Sequence, residues 1–208
     1  MNIAVLVSGG GTNLQALIDA QKVGGLGSGE IVCVISSKAG VYALERAAKA
    51  GIPGEVLPAR SSGEDVSAAL LALLEKYKVD LVILAGFLSI LDEQVVKAYE
   101  NRIINVHPAL IPAFCGKGYY GLRVHEAALE KGVKVTGATV HFVNEIPDGG
   151  AIILQKAVEV KADDTPERLQ RRVMEQAEWE LLPKAAALFC DGKLTVVDNR
   201  VMITEESI

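Results

Sequence analysis

The chain has only three cysteines in 208 residues, Cys33, Cys115 and Cys190, and they lie far apart. This spacing offers no thiol pair for a metal or for redox chemistry, and an odd count does not suggest a disulfide framework. No apolar run reaches 18 residues, so no segment is long enough to span a bilayer as a helix. No basic stretch precedes an apolar one after Met1, so no export signal is read there. We therefore expect a soluble, cytoplasmic protein. Positive charge is also short. Lys and Arg number 21 against 26 Asp and Glu, a net charge of −5. That argues against a general nucleic-acid surface but leaves room for one small phosphate site.

What is present is a large apolar fraction, 50% of residues, with 23% charged. This is enough to bury a sizeable core in a single domain over residues 1–208. Strand-like runs at 2–7, 31–35, 56–57 and 80–85 alternate with helical patterns at 14–21, 41–50 and 61–78. The nearly all-aliphatic run 80–85 reads as a strand covered on both faces. Ser61-Ser62-Gly-Glu64 reads as a capped helix start, and Gly51 as a helix stop. The alternation predicts an α/β fold: an open, mostly parallel twisted sheet with helices on both faces. Residues 194–197 and 200–203, around Asp198-Asn199, read as a C-terminal hairpin. The Gly-rich 24–29 reads as a flexible surface connection.

The first chemical signal is Ser8-Gly-Gly-Gly-Thr-Asn13, between a strand and a helix. A Gly-rich turn feeding a helix N-terminus turns backbone N–H groups toward an anion, and the helix dipole favours a phosphate there. No Gly-Lys-Ser/Thr follows, so it is not a Walker turn. The dinucleotide pattern also fails, because Leu14 stands where a third Gly or Ala belongs. The next strand ends in Ser36-Ser37-Lys38, with no acidic residue for a ribose. A mononucleotide-type phosphate fits better. A plain strand–helix turn is the alternative.

The second signal lies in 102–150. Arg102-Ile-Ile-Asn-Val-His-Pro108 is followed by Thr136-Gly-Ala-Thr-Val-His-Phe-Val143 and Pro147-Asp-Gly-Gly150. Asn105 and His107 are two apart, so on a strand they face the same way. Pro108 ends the strand. Asp148 precedes a Gly-Gly turn that can hold a carboxylate. Alone, each residue has an ordinary structural use. Together, an amide donor, an imidazole and a carboxylate at strand ends make a candidate site.

These residues resemble the formyltransferase family that uses 10-formyltetrahydrofolate. The Asn105-Val-His107-Pro segment with the downstream Asp148-Gly-Gly matches the wider family, and Ser8-Gly-Gly-Gly-Thr-Asn13 matches its ribonucleotide branch. The resemblance runs from Ile3 to about Pro183. It implies a Rossmann-like formyltransferase fold, with a phosphate-binding half at 1–100 and a catalytic and folate-binding half at 101–208. It implies transfer of a formyl group from 10-formyltetrahydrofolate, as co-substrate, to the amine of glycinamide ribonucleotide in purine synthesis, with no metal.

Asn105, His107 and Asp148 would be catalytic. The backbone of Gly11, Thr12 and Asn13 would hold the phosphate, and Glu178 would contact the ribonucleotide, although a solvated helix Glu is an open alternative. Leu88, Ser89, Ile90 and Leu91, with Val143 and Asp148, would form the folate seat. Relatives carry Arg where this chain has Ser89. Partners would be small molecules, with no nucleic acid and no membrane, on a monomer or homodimer.

Other members of the wider family formylate an initiator tRNA or hydrolyse the folate, and each is expected to need an added domain. A sugar-phosphate binding protein without catalysis would need only the glycine turn. Residues 111–121 are expected to form a mobile loop over the site. Residues 122–131 form a helix stopped by Gly132; His125 reads as a surface histidine on it, although the resemblance matches it to a His near the site in relatives. A last helix starts at Asp164-Thr-Pro-Glu167 and runs toward Phe189, broken near Pro183.

Overall fold

The computed structural model of the chain describes residues 1–59, 63 and 65–204. The expected capping motif on Ser61, Ser62 and Glu64 lies outside the described residues. The helix that follows is instead capped by Asp65, whose carboxylate accepts from the N–H groups of Ser67 and Ala68 at 3.0 Å.

Seven strands form one sheet in the order β3-β2-β1-β4-β5-β6-β7. They are β1 (Asn2–Val7), β2 (Glu30–Ser36), β3 (Gly54–Val56), β4 (Leu81–Leu84), β5 (Ile103–His107), β6 (Val135–Phe142) and β7 (Ile152–Glu159). The first five are parallel; β6 runs antiparallel to β5, and β7 antiparallel to β6. The fold is α/β and mostly parallel, as the alternation predicts.

Side-chain period two divides the core. Ile3, Val5 and Val7 of β1 join Leu81 and Ile83 of β4 on one face, against helices α1 (Thr12–Lys22) and α2 (Tyr42–Lys49). Ala4, Leu6, Val82 and Leu84 face the other way, against α3 (Val66–Lys76) and α4 (Glu93–Ala98). The short helix α4 has no counterpart in the sequence reading; its two buried valines, Val95 and Val96, are too few to set a period.

Helix α5 (Leu122–Lys131) ends at Gly132, which takes the left-handed conformation expected of a helix stop. The last helical segment is α6 (Pro166–Val173), capped by Thr165, then a π-helical turn at Met174–Glu178, then α7 (Trp179–Cys190). The irregularity therefore falls at 174–178, and Pro183 sits inside a continuous α7. The extra residue in the π turn interrupts the helix before the proline is reached. A two-stranded hairpin, β8 (Leu194–Val197) and β9 (Arg200–Ile203), closes the described chain, with Asp198 and Asn199 at positive φ as a tight hairpin turn requires.

The Gly-rich segment 24–29 is pinned at several points. Leu26 is buried, Ser28 donates through its N–H to Asp191 and through its hydroxyl to the Cys190 carbonyl, and the N-terminal ammonium donates to Ser28 O at 2.6 Å. Glycine serves close packing against the end of α7 here, which local composition cannot reveal.

Candidate active site

The chain reverses its direction of winding between β1 and β4. Strands β2 and β3 extend the sheet to one side of β1, and β4 and β5 to the other. Loops at the carboxyl ends of strands next to such a point are where open α/β sheets bind ligands. Ser8, in the loop after β1, links its neighbours: its hydroxyl lies 2.7 Å from Ser37 Oγ after β2, and it accepts from Leu88 N–H at 3.0 Å after β4. The ends of β1 and β5 are two strands apart, roughly 10 Å.

On β5, Ile104 and Val106 face the α1 side of the core, which turns Asn105 and His107 to the opposite face. The neighbouring β6 pairs Asn105 with His141 and His107 with Thr139. Asn105 Nδ2 lies 3.1 Å from His141 Nε2, and His141 Nδ1 lies 2.7 Å from the Phe142 carbonyl. A carbonyl only accepts, so Nδ1 carries the hydrogen and Nε2 accepts from Asn105. The second amide hydrogen of Asn105 has no acceptor among the described residues.

Asp148 stands between two imidazoles. One oxygen is 3.6 Å from His107 Nδ1 and the other is 3.6 Å from His141 Nε2. Both separations are longer than hydrogen bonds, and each becomes an ion pair only when its imidazole is protonated. The Gly116 N–H donates to Asp148 at 2.8 Å. Asp148 itself has φ 56°, and the chain returns to the sheet at Gly150, where a methyl group would stand 1.8 Å from the Phe142 carbonyl. Gly150 is thus required by close approach of two backbones, while a methyl on Gly149 would meet the Ile146 side chain at 2.7 Å; together they let a loop carboxylate reach β5 and β6.

Burial pushes Asp148 toward neutrality, but contact with His141, the Gly116 N–H and attraction to His107 when it is protonated outweigh it, and its pKa falls below the ordinary carboxylate value. For His107, burial is the largest influence and lowers its pKa; Asp148 and the Phe114 carbonyl, 2.8 Å from Nε2, favour the charged form without overcoming burial. With Asp148 ionised, His107 rests neutral at neutral pH. Both its ring nitrogens face acceptors, so a proton arriving there is met on both sides.

The 111–121 loop lies over this group, as the sequence suggests, through the Phe114 carbonyl on His107 and Gly116 on Asp148. Cys115 is occupied with the Pro112 carbonyl. His125 is a correction. It is fully buried in α5, its ring nitrogens have no partner among the described residues, and burial, with the charge of His107, pushes its pKa down to about 4. Its neighbours Val124 and Ala128 form the inward face of the helix, and His125 rides with them.

At the glycine turn, Gly11 takes φ 72° and α1 begins at Thr12. Asn13 is buried and its Nδ2 donates to Glu178 Oε2 at 2.7 Å. Glu178 is therefore no solvated helix residue. It is buried in the π turn, and desolvation, partly offset by Asn13, raises its pKa to about 7. Thr12 Oγ1 contacts Met174 Sδ from the same turn.

In the 86–91 loop, Leu88 and Ile90 are 61% and 75% exposed. Leu91 instead packs with Phe87 and Val143 on the α3–α4 side of the core. Phe87, Ser89, Ile90 and Leu91 line a recess of about 50 Å³ with Leu57, Leu70 and Val95. Among the described residues, no three His, Cys, Asp or Glu side chains group as a metal site needs, and no helix is long and apolar enough to cross a membrane.

His141 stands in the 136–143 segment with no role assigned from sequence, and the structure places it against Asp148. Its signal was the register: His141 is the β6 residue opposite Asn105.

Comparison with known proteins adds a family. Residues 1–186 match the family described as formyl transferase. The chain is 46% identical over 198 residues to the trifunctional purine biosynthetic protein adenosine-3 of Gallus gallus, covering 94% of this chain but only 19% of that protein. It is 41% identical over 199 residues to the phosphoribosylglycinamide formyltransferase of Haemophilus influenzae, covering 95% of this chain and 91% of that one. The crystal structure of glycinamide ribonucleotide transformylase 1 from Symbiobacterium toebii superposes with a TM-score of 0.89 at 43% identity, covering 99% of this chain and 94% of that chain.

Proposed function

Because this chain belongs to the formyl transferase family, we propose that it moves a formyl group from 10-formyltetrahydrofolate to the primary amine of glycinamide ribonucleotide, a step of purine biosynthesis. The observation that carries this reading is the convergence of Asn105, His107 and Asp148 at the ends of β5 and β6, two strands from an anion-facing turn. A binding protein would need the turn but not the convergence.

The backbone N–H groups of Gly11, Thr12 and Asn13 hold the ribonucleotide phosphate, and Glu178 accepts a hydrogen bond from the sugar–amide portion. The folate lies against Leu88, Ser89, Ile90 and Leu91 and against the loop from Val143 to Asp148. This binding sets the amine beside the formyl carbon, and proximity supplies much of the acceleration.

As the new C–N bond forms, negative charge gathers on the formyl oxygen. Asn105 donates its second amide hydrogen to that oxygen. Asp148 is ionised at rest and accepts the proton released by the attacking amine, directly or through water. It passes this proton to N10 as the old C–N bond breaks. Between the two steps the proton can rest on His107, whose positive charge, paired with Asp148, then adds to stabilisation of the oxyanion before the proton moves on to N10. Ser89 in place of a relative's Arg leaves the folate seat without a cation at that position.

The test is steady-state formyl transfer with glycinamide ribonucleotide and with its 5′-dephosphorylated form. Conversion of the first with a much higher KM for the second is expected. Equal use of both would remove the phosphate site from the reading, and no conversion of either would remove the activity.

A further inference from the structure

The glycine turn after β1 does not stand free, because helix α2 grips it from behind at three points. The backbone N–H of Ala43 donates to the Gly9 carbonyl at 3.2 Å. Arg46 Nε donates to the Gly10 carbonyl at 2.9 Å. Gly11 passes so close that an added methyl would lie 2.7 Å from the Ala43 side chain.

In a trans peptide, the carbonyl of one residue and the N–H of the next point in opposite directions. Holding the Gly9 and Gly10 carbonyls against α2 therefore turns the N–H groups of Gly10 and Gly11 away from it. Neither N–H has an acceptor among the described residues. The side chain that does the holding is itself held. Arg46 Nη1 donates to Gln15 Oε1 at 2.9 Å, Gln15 donates on to Asp19, and the guanidinium lies 4.8 Å from the centre of the Tyr42 ring.

We propose that Arg46 is a positioning residue for the ribonucleotide: by tethering the Gly10 carbonyl it keeps the Gly10–Gly11 peptide turned so that its N–H faces the phosphate. The inference rests on the phosphate reading of the turn given above. Three consecutive glycines let the ligand approach, but they also let the backbone rotate at little cost. A rotated Gly10–Gly11 peptide presents its carbonyl, not its N–H, to the anion. An external tether removes that state. Arginine suits the task because its planar fork serves the Gly10 carbonyl and Gln15 at once, through a charge-assisted bond to the carbonyl. Lysine keeps the charge but has no such fork.

The experiment compares the parent with Arg46→Ala and Arg46→Lys. Calorimetry measures affinity for glycinamide ribonucleotide and for its dephosphorylated form; kinetics measure kcat and both KM values. For Arg46→Ala, ribonucleotide affinity should fall about tenfold or more, as expected when one charge-assisted hydrogen bond is lost. Affinity for the dephosphorylated form, the folate KM and kcat at saturation should stay within about twofold, because uniform binding was removed and not transition-state binding. Arg46→Lys should remain impaired. If Arg46→Ala does not fold, Gln15→Leu removes the outer anchor alone and should weaken ribonucleotide binding by about threefold.

Full recovery in Arg46→Lys would show that charge acts without the tether and overturn the proposal. Equal losses for the phosphorylated and dephosphorylated forms would overturn it too, as a general packing effect. So would parent-like binding in Arg46→Ala or, if that variant does not fold, in Gln15→Leu. A parent that binds no ribonucleotide would overturn the functional reading and this one with it.

Discussion

One carboxylate oxygen of Asp148 lies 3.6 Å from Nδ1 of His107, although 40 residues separate them in the chain. The contact depends on a left-handed residue followed by a glycine pressed onto a β6 carbonyl, so the pair exists only in the folded chain. Its two members pull in opposite directions. Burial drives His107 neutral, while His141 and the Gly116 N–H, more than His107, keep Asp148 charged.

From that follows the behaviour of Asp148→Asn. The asparagine keeps size and some hydrogen bonding but removes the charge that raises His107. The His107 midpoint, already below its usual value, should fall further, and this can be followed by NMR of its ring proton. Single-turnover rates should drop by about 10²–10⁴-fold, the range for loss of a positioned acid–base group, with modest changes in ligand affinity. A variant with the parent's rate and pH profile would remove Asp148 from proton transfer. Loss of folate binding alone would assign it to loop shape instead.

Asn105→Ala should cost about 2.7–4 kcal/mol in the chemical step, as removal of one oxyanion donor does. Binding of either substrate should change much less. The same change strips His141 Nε2 of its donor at 3.1 Å, so folding is checked first by thermal melting. A folded variant with unchanged kcat sinks the oxyanion role.

Glu178 makes a pH prediction for stability. Its folded pKa, about 7, lies above the ordinary 4.5. A raised folded pKa means that its contribution is fully present below about 4.5 and is lost as pH rises through about 7. Chemical denaturation should therefore show unfolding free energy declining across that window, by on the order of 3 kcal/mol at most from this group. Glu178→Gln should flatten the decline by that share. An identical pH dependence in parent and variant would show that Glu178 titrates normally.

Much of the frame is written locally. The alternation of Ile3, Val5 and Val7 with Ala4 and Leu6, the stop at Gly132 and the Asp198-Asn199 turn each follow from near neighbours in the chain, and each appears in the structure. What the sequence hides is tertiary. His125 looks like a surface residue because polarity is the only local cue, yet it shares the inward stripe of α5 with Val124 and Ala128. Glu178 gains its burial from a π turn that no propensity announces, and Asn13 meets it from 165 residues away. His141 becomes a second neighbour of Asp148 only through the register of β5 on β6. Arg46 reads as an ordinary helix arginine until α2 is seen behind the turn.

The most direct measurement gives enzyme in excess a folate carrying a carbon-13 formyl group, together with glycinamide ribonucleotide, and follows the label in a single turnover. The account predicts that the label moves to the amine nitrogen of the ribonucleotide, that tetrahydrofolate appears at the same rate, and that little formate forms. Label appearing as formate, with or without the ribonucleotide present, would mean that water is the acceptor and would contradict the account.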